Sequence, residues 1–240
     1  KFFDDVLERT GINIEVITQR EEARLAVSGC RALLNGPEPF AVVFDIGGGS
    51  TQVAWLSLDS QEDLPCETTS VPFGVVTLSE KYGAETLHPK LYQQIIDEVG
   101  EQLSAFCASH DISEHAIAGQ VQMVGTSGTV TTLAGIEKNL KYYDRKRVDG
   151  ATLTFAAIRK LCNDLRRMDI STRSKVPCIG KDRAELVIFG CAVLEAMCRR
   201  WPVGKLRVAD RGIREGILRE LMAGADREVH CGSLDKPGNK

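Results

Sequence analysis

In the stretch FDIGGGSTQV, Phe44–Val53, an apolar run ends in an aspartate and three consecutive glycines follow. Glycine loses more conformational freedom on folding than any other residue, so three in a row mark a place where the backbone itself has a task. Gly47, Gly48 and Gly49 can take positive φ and turn successive N–H groups toward one point, an array that holds phosphate oxygens, and Ser50 and Thr51 add hydroxyl donors. Asp45 would then face the phosphates, which makes sense chiefly with a divalent cation between them. The competing account is a glycine-rich hairpin turn with a capping aspartate, although a hairpin needs fewer glycines. No lysine follows, so the loop is not of the GxxxxGK[ST] kind.

A second stretch, MVGTSGTVTTLAG at 123–135, has a related logic. A strand ends at Gly125, Thr126 and Ser127 are natural N-caps, and Gly128 permits close approach where a helix begins with Thr129. Free N–H groups at a helix N-terminus favour anions. Capping alone accounts for one hydroxyl and one glycine, which leaves the remainder for a ligand. In TQREEAR, 18–24, Thr18 and Glu21 have capping-box spacing, and Glu22 is left over. Taken alone, Glu22 is a first-turn acid helped by the helix dipole. In VADRGIREG, 208–216, Arg211 and Arg214 can reach either an anionic ligand or surface carboxylates, and Lys181 and Arg183 pose the same choice.

These residues need a frame. Lys1 to Thr10 reads as an amphipathic helix stopped by Gly11, INIEVIT at 12–18 as a short strand by its alternation, and 19–34 as a helix. Three strands follow in an antiparallel meander at 40–46, 50–59 and 66–74. A helix is predicted at 89–109, a strand at 121–125, helices at 154–168 and 182–201, a strand at 205–210 and a last helix in RGIREGILREL. The pattern predicts an α/β fold with a mixed five-stranded sheet, three of its strands antiparallel, and flanking helices, because crossovers between parallel strands need helices. Residues 225–240 carry little apolar content and are expected to be disordered.

The chain has 240 residues, of which 43% are hydrophobic and 26% charged, so it is large enough to bury a core. A net charge of -3 provides no broad basic field, which argues against a nucleic-acid partner. No apolar run approaches the roughly 20 residues that span a bilayer, so no membrane partner is expected. Eight cysteines are scattered without a CxxC pair, which points to reduced thiols and a cytoplasmic location.

In chain order, IEVITQREEARL, VVFDIGGGSTQVA, VPFGVVTLSEKY, VGTSGTVTTLA, the RAE-containing helix and VADRGIREGIL resemble the exopolyphosphatase and guanosine pentaphosphate phosphohydrolase (Ppx/GppA) family. That family belongs to the actin, sugar kinase and Hsp70 superfamily. The resemblance implies a ribonuclease-H-like, actin-like ATPase lobe. It makes residues 1–20 the end of a first lobe, most of which is missing and would precede Lys1, and residues 21–224 a crossing helix and second lobe. It implies that Glu22 is the general base, that Asp45 helps to hold Mg²⁺, and that the backbone of Gly47 to Ser50 holds the terminal phosphate. The expected substrates are inorganic polyphosphate or guanosine penta- or tetraphosphate, with turnover impaired in a chain lacking the other lobe. Self-association of surfaces that meet that lobe would produce a homodimer.

Family members usually read DIGGGSTE, whereas this chain has Gln52, and an amide brings no charge to a cation. The departure motivates an alternative, a catalytically weakened binding protein for polyphosphate or guanosine tetraphosphate. An actin-like ATPase or sugar kinase, which shares the glycine loops, is a third reading.

Overall fold

The computed structural model of the chain describes residues 1–59, 66–83 and 87–232. Helix α1, Phe2–Thr10, ends as expected at Gly11, whose backbone is left-handed (φ 70°) and donates to the Leu7 carbonyl. None of its residues is buried. Residues 11–18 have no regular secondary structure and are exposed, and no strand pairs with them among the described residues. The strand predicted at 12–18 is therefore absent. Its alternation was real, but a strand also needs a neighbour for its backbone N–H and C=O groups.

Helix α2, Gln19–Cys30, runs into a short 3₁₀ turn at Arg31–Leu33. Strands β1 (Phe40–Ile46), β2 (Thr51–Ser57) and β3 (Cys66–Val71) form the predicted meander. Helix α3, Val75–Tyr82, follows, and the predicted long helix is broken into α4, Pro89–Gln102, and α5, Ser104–Ser109. Next come α6 (Ile112–Ile117), β4 (Val121–Thr126), α7 (Gly128–Glu137) and α8 (Arg145–Val148). The chain continues through β5 (Thr152–Thr154), α9 (Phe155–Arg166), α10 (Ile170–Arg173), α11 (Val187–Arg200), β6 (Lys205–Ala209) and α12 (Ile213–Gly232). The last helix passes through the first part of the segment expected to be disordered, and 233–240 lie outside the described residues.

The sheet has six strands in the order β3-β2-β1-β4-β6-β5, not five. β1, β4 and β6 are parallel, β1–β2–β3 are antiparallel, and the missed strand β5 lies antiparallel on β6. Three residues are too few to show an alternation, and Thr152–Thr154 abut the start of α9.

Strand parity divides the core. Val42, Phe44 and Ile46 face the larger side, filled by α4, α7, α9 and α11, where every residue of Val187–Met197 is buried. Ala41, Val43, Ala54 and Leu56 face the smaller side, closed by Val27, Cys30 and Leu33 from α2 and the turn after it. Asp45 and Gln52 are cross-strand partners with the parity of that smaller side. Helices α2 and α12 cross there at backbone contact. A Cβ on Gly29 would strike the Gly212 carbonyl, and one on Gly216 would strike the Leu25 carbonyl. No helix among the described residues is long and apolar enough to cross a membrane.

Candidate active site

The three parallel strands end side by side, with Asp45 opposite Thr126 and Thr126 opposite Ala209. In open α/β sheets ligands bind outside the carboxyl ends of such strands. An open cleft of about 360 Å³ lies there, lined by Asp45, Thr126, Ser127, Gly128, Arg183 and Arg214 among others.

Because α2 covers the Asp45 face, its first turn brings Glu22 to the same edge. Thr18 caps the helix by accepting from the Glu21 N–H (3.2 Å). The reciprocal half of the expected capping box is replaced by an ion pair, since Glu21 binds Arg24 at 2.7 and 2.8 Å, and Arg24 also binds Glu220 of α12. Glu22 is thus left facing inward. It accepts from Gln52 Nε2 at 3.3 Å, and the same nitrogen donates to Ser50 Oγ at 2.9 Å. Burial, and secondarily the negative charge of Glu22, push the Asp45 carboxyl up to about 6. The Asp45 and Glu22 carboxyl groups are thus near enough for the charge of one to bear on the other.

The glycine bend is held by α3. Gly47 and Gly48 carbonyls accept from the N–H groups of Val75 (3.0 Å) and Val76 (2.9 Å), and the Gly49 carbonyl accepts from Thr77 Oγ1 (3.2 Å). The N–H groups of Gly48, Gly49 and Ser50 have no acceptor among the described residues, and Gly48 and Gly49 are exposed. None of the three glycines has positive φ, so the left-handed backbone expected of the loop is not adopted. The tightest demand falls instead on Gly74, where a Cβ would collide with Gly48 and Gly49. The bend is joined to the cleft through Asp45 and Ser50 and does not itself line it.

Three expected ligand residues have other work. Thr51 is fully buried and donates to the Phe73 carbonyl at 2.6 Å. Gly125 is needed by the core, since a Cβ there would strike the Phe44 ring. Thr129 is buried against Gly190 of α11. Ser127 caps α7 by accepting from the Val130 N–H (3.1 Å), so the helix N-terminus opens into the cleft. Arg211 lines the cleft but is tied into a bidentate ion pair with Asp149, and Arg214 is exposed without a side-chain partner among the described residues. Arg183, left open by the sequence, lies over Gly128 and reaches Thr132 Oγ1 at 3.4 Å. Asp149 gave no sequence signal, since its partner is 62 residues away.

Among the described residues no three or more His, Cys, Asp or Glu side chains gather into a metal-binding group. The Glu22 and Asp45 pair still suits Mg²⁺, which takes one or two carboxylates and completes its shell with phosphate oxygens and water.

The Ppx/GppA phosphatase family model matches residues 1–224. The chain belongs to that family. Among curated Ppx/GppA relatives, it is 27% identical over 217 residues to exopolyphosphatase 2 of Mycobacterium tuberculosis, covering 88% of the chain and 65% of the relative. It is 28% identical over 230 residues to exopolyphosphatase 1 of Mycobacterium leprae, covering 93% and 65%. The chain thus spans 65% of the length of these relatives. Of solved structures, the Aquifex aeolicus Ppx/GppA family member superposes with a TM-score of 0.76 at 27% identity, covering 93% of this chain and 69% of that one. The fold is also that of an exopolyphosphatase from Cytophaga hutchinsonii, with a TM-score of 0.78 at 19% identity and coverage of 92% and 69%.

Proposed function

We propose that the chain carries the phosphate-handling lobe of a hydrolase that releases terminal phosphate from inorganic polyphosphate. The observation that carries this reading is a cleft at the carboxyl ends of the parallel strands that gathers Asp45, the N-terminus of α7, Arg183 and Arg214. The relatives named exopolyphosphatase favour the linear polyanion over guanosine pentaphosphate.

Phosphoryl transfer is largely positioning and charge neutralisation. The free N–H groups of Gly48 to Ser50 and the N-terminus of α7 provide donors for phosphate oxygens, and Arg214 provides a mobile cation. Glu22 takes the proton of the attacking water as general base. Mg²⁺ held by Asp45 and Glu22 would neutralise phosphate charge when bound. A further lobe of the same protein would complete the enclosure, and the exposed Phe2, Phe3 and Leu7 of α1 suit packing against one. On this reading the enzyme works in the cytoplasm. Phosphate release from polyphosphate should fall by at least about a hundredfold in Glu22→Gln, the scale of a lost general base. Equal rates would remove Glu22 from the mechanism.

A second reading, a binding protein that turns over poorly, is favoured by the neutral Gln52 beside the two acids. Calorimetric binding of polyphosphate without any release of phosphate would select it.

A further inference from the structure

Gln52 is 95% buried, a polar side chain on a face of β2 whose other members, Ala54 and Leu56, are apolar and enclosed. Its amide nitrogen lies between two different partners, Glu22 Oε2 on α2 and Ser50 Oγ on the glycine bend. The orientation follows from chemistry. An ionised carboxylate only accepts, so the amide must turn its NH₂, and not its oxygen, toward Glu22. Its two hydrogens are then shared between the acid and the hydroxyl. In the strand register Gln52 is also directly across from Asp45. A single side chain therefore touches the element that carries the base and the element that carries the phosphate bend, and it does so without adding a third negative charge.

We infer that Gln52 is a positioning residue that clamps the Glu22 carboxylate and the Ser50 hydroxyl to each other, setting the distance between the base and the phosphate bend. The inference rests on the hydrolase reading of this site. Without the clamp, Glu22 is anchored only through its own helix, and small errors in the placement of a reacting group cost large factors in rate. Removal of the clamp acts on the chemical step, because phosphate itself is held by backbone donors and arginines.

The test combines two readouts on the full chain. In ¹H–¹⁵N spectra, the Gln52 side-chain NH₂ pair is expected to move in Glu22→Ala and again in Ser50→Ala, while the other glutamine side-chain signals stay in place. In phosphate release from polyphosphate, Gln52→Ala and the similarly sized Gln52→Met should each lower kcat by about tenfold or more with KM nearly unchanged. Gln52→Met keeps the volume without the amide and so guards against a loss that reflects only packing, and melting temperatures confirm that both variants fold. A Gln52 signal indifferent to Glu22→Ala would overturn the clamp, as would full kcat in Gln52→Ala. If the unaltered protein, complete with its further lobe, releases no phosphate while the coupled shifts appear, the clamp stands and the hydrolase reading falls. If it turns over and Gln52→Ala matches it, the reverse holds.

Discussion

Asp45 sits in an environment that works against its own charge. Its folded pKa, about 6, lies above the 3.8 of a free side chain, through burial first and Glu22 second. Between those values the folded chain keeps a proton that the unfolded chain releases, so the stabilising contribution is complete below about pH 4 and is lost as pH rises through about 6. Asp45→Asn, melted with a chelator present, should therefore gain about 2 kcal/mol over the parent at pH 8 and almost nothing at pH 4. A gain independent of pH would contradict that origin. Thr51 makes the opposite case. Its buried hydroxyl satisfies the Phe73 carbonyl, so Thr51→Val should cost about 1–2 kcal/mol in a denaturant titration and leave phosphate affinity alone. Thr51 pairs with Ile46 and so has the parity of the larger apolar core, while Asp45 and Gln52 share the other face. Glu22 could not be lifted above an ordinary first-turn acid by local pattern, because its partners arrive from strands 30 residues later.

Among the elements, strands β1, β2 and β4 were legible almost to the residue, since their apolar runs are bounded by glycine or by polar turns. What failed was whatever depended on a neighbour. Residues 12–18 alternate like a strand but have no edge to join, and β5 exists only because β6 lies beside it. The break between α4 and α5 at Leu103 follows Gly100 by three residues, but a single glycine within a helical pattern does not fix where the helix stops. The packing of α2 on α12 was equally hidden, because a glycine in a helix does not say which backbone it will touch. Gly216→Ala places a methyl group against the Leu25 carbonyl, and should destabilise the chain by about 1–3 kcal/mol in thermal melts. A neutral result would mean that the two helices separate at little cost.

At the level of the molecule, the cleft draws its charges from distant parts of the chain. Asp45 comes from β1, with Glu22 of α2 near it, whereas Arg183, Arg211 and Arg214, and the acids Asp210 and Glu215, come from beyond α10. Asp149 neutralises Arg211, and Arg145 is occupied by Asp210 and Glu215, so Arg214 is the better-placed cation for an incoming anion. Arg214→Gln should weaken tripolyphosphate binding about tenfold by calorimetry, with the difference shrinking as salt rises. Loss of the same size at every ionic strength would speak against a charge contact. This gathering could not be read from composition, since a net charge of -3 averages over it.

The crossing of α2 and α12 has a mechanical side. Glu22 is in the first turn of one helix, and Arg214 is in the first turn of the other. Glycine backbones seated against carbonyls, like a tooth in a notch, admit one longitudinal setting of the two rods. On the proposed reading, the gap that a phosphate would span between acid and arginine is thereby gauged at a distance, by the backbones of Gly29 and Gly216 outside the cleft lining.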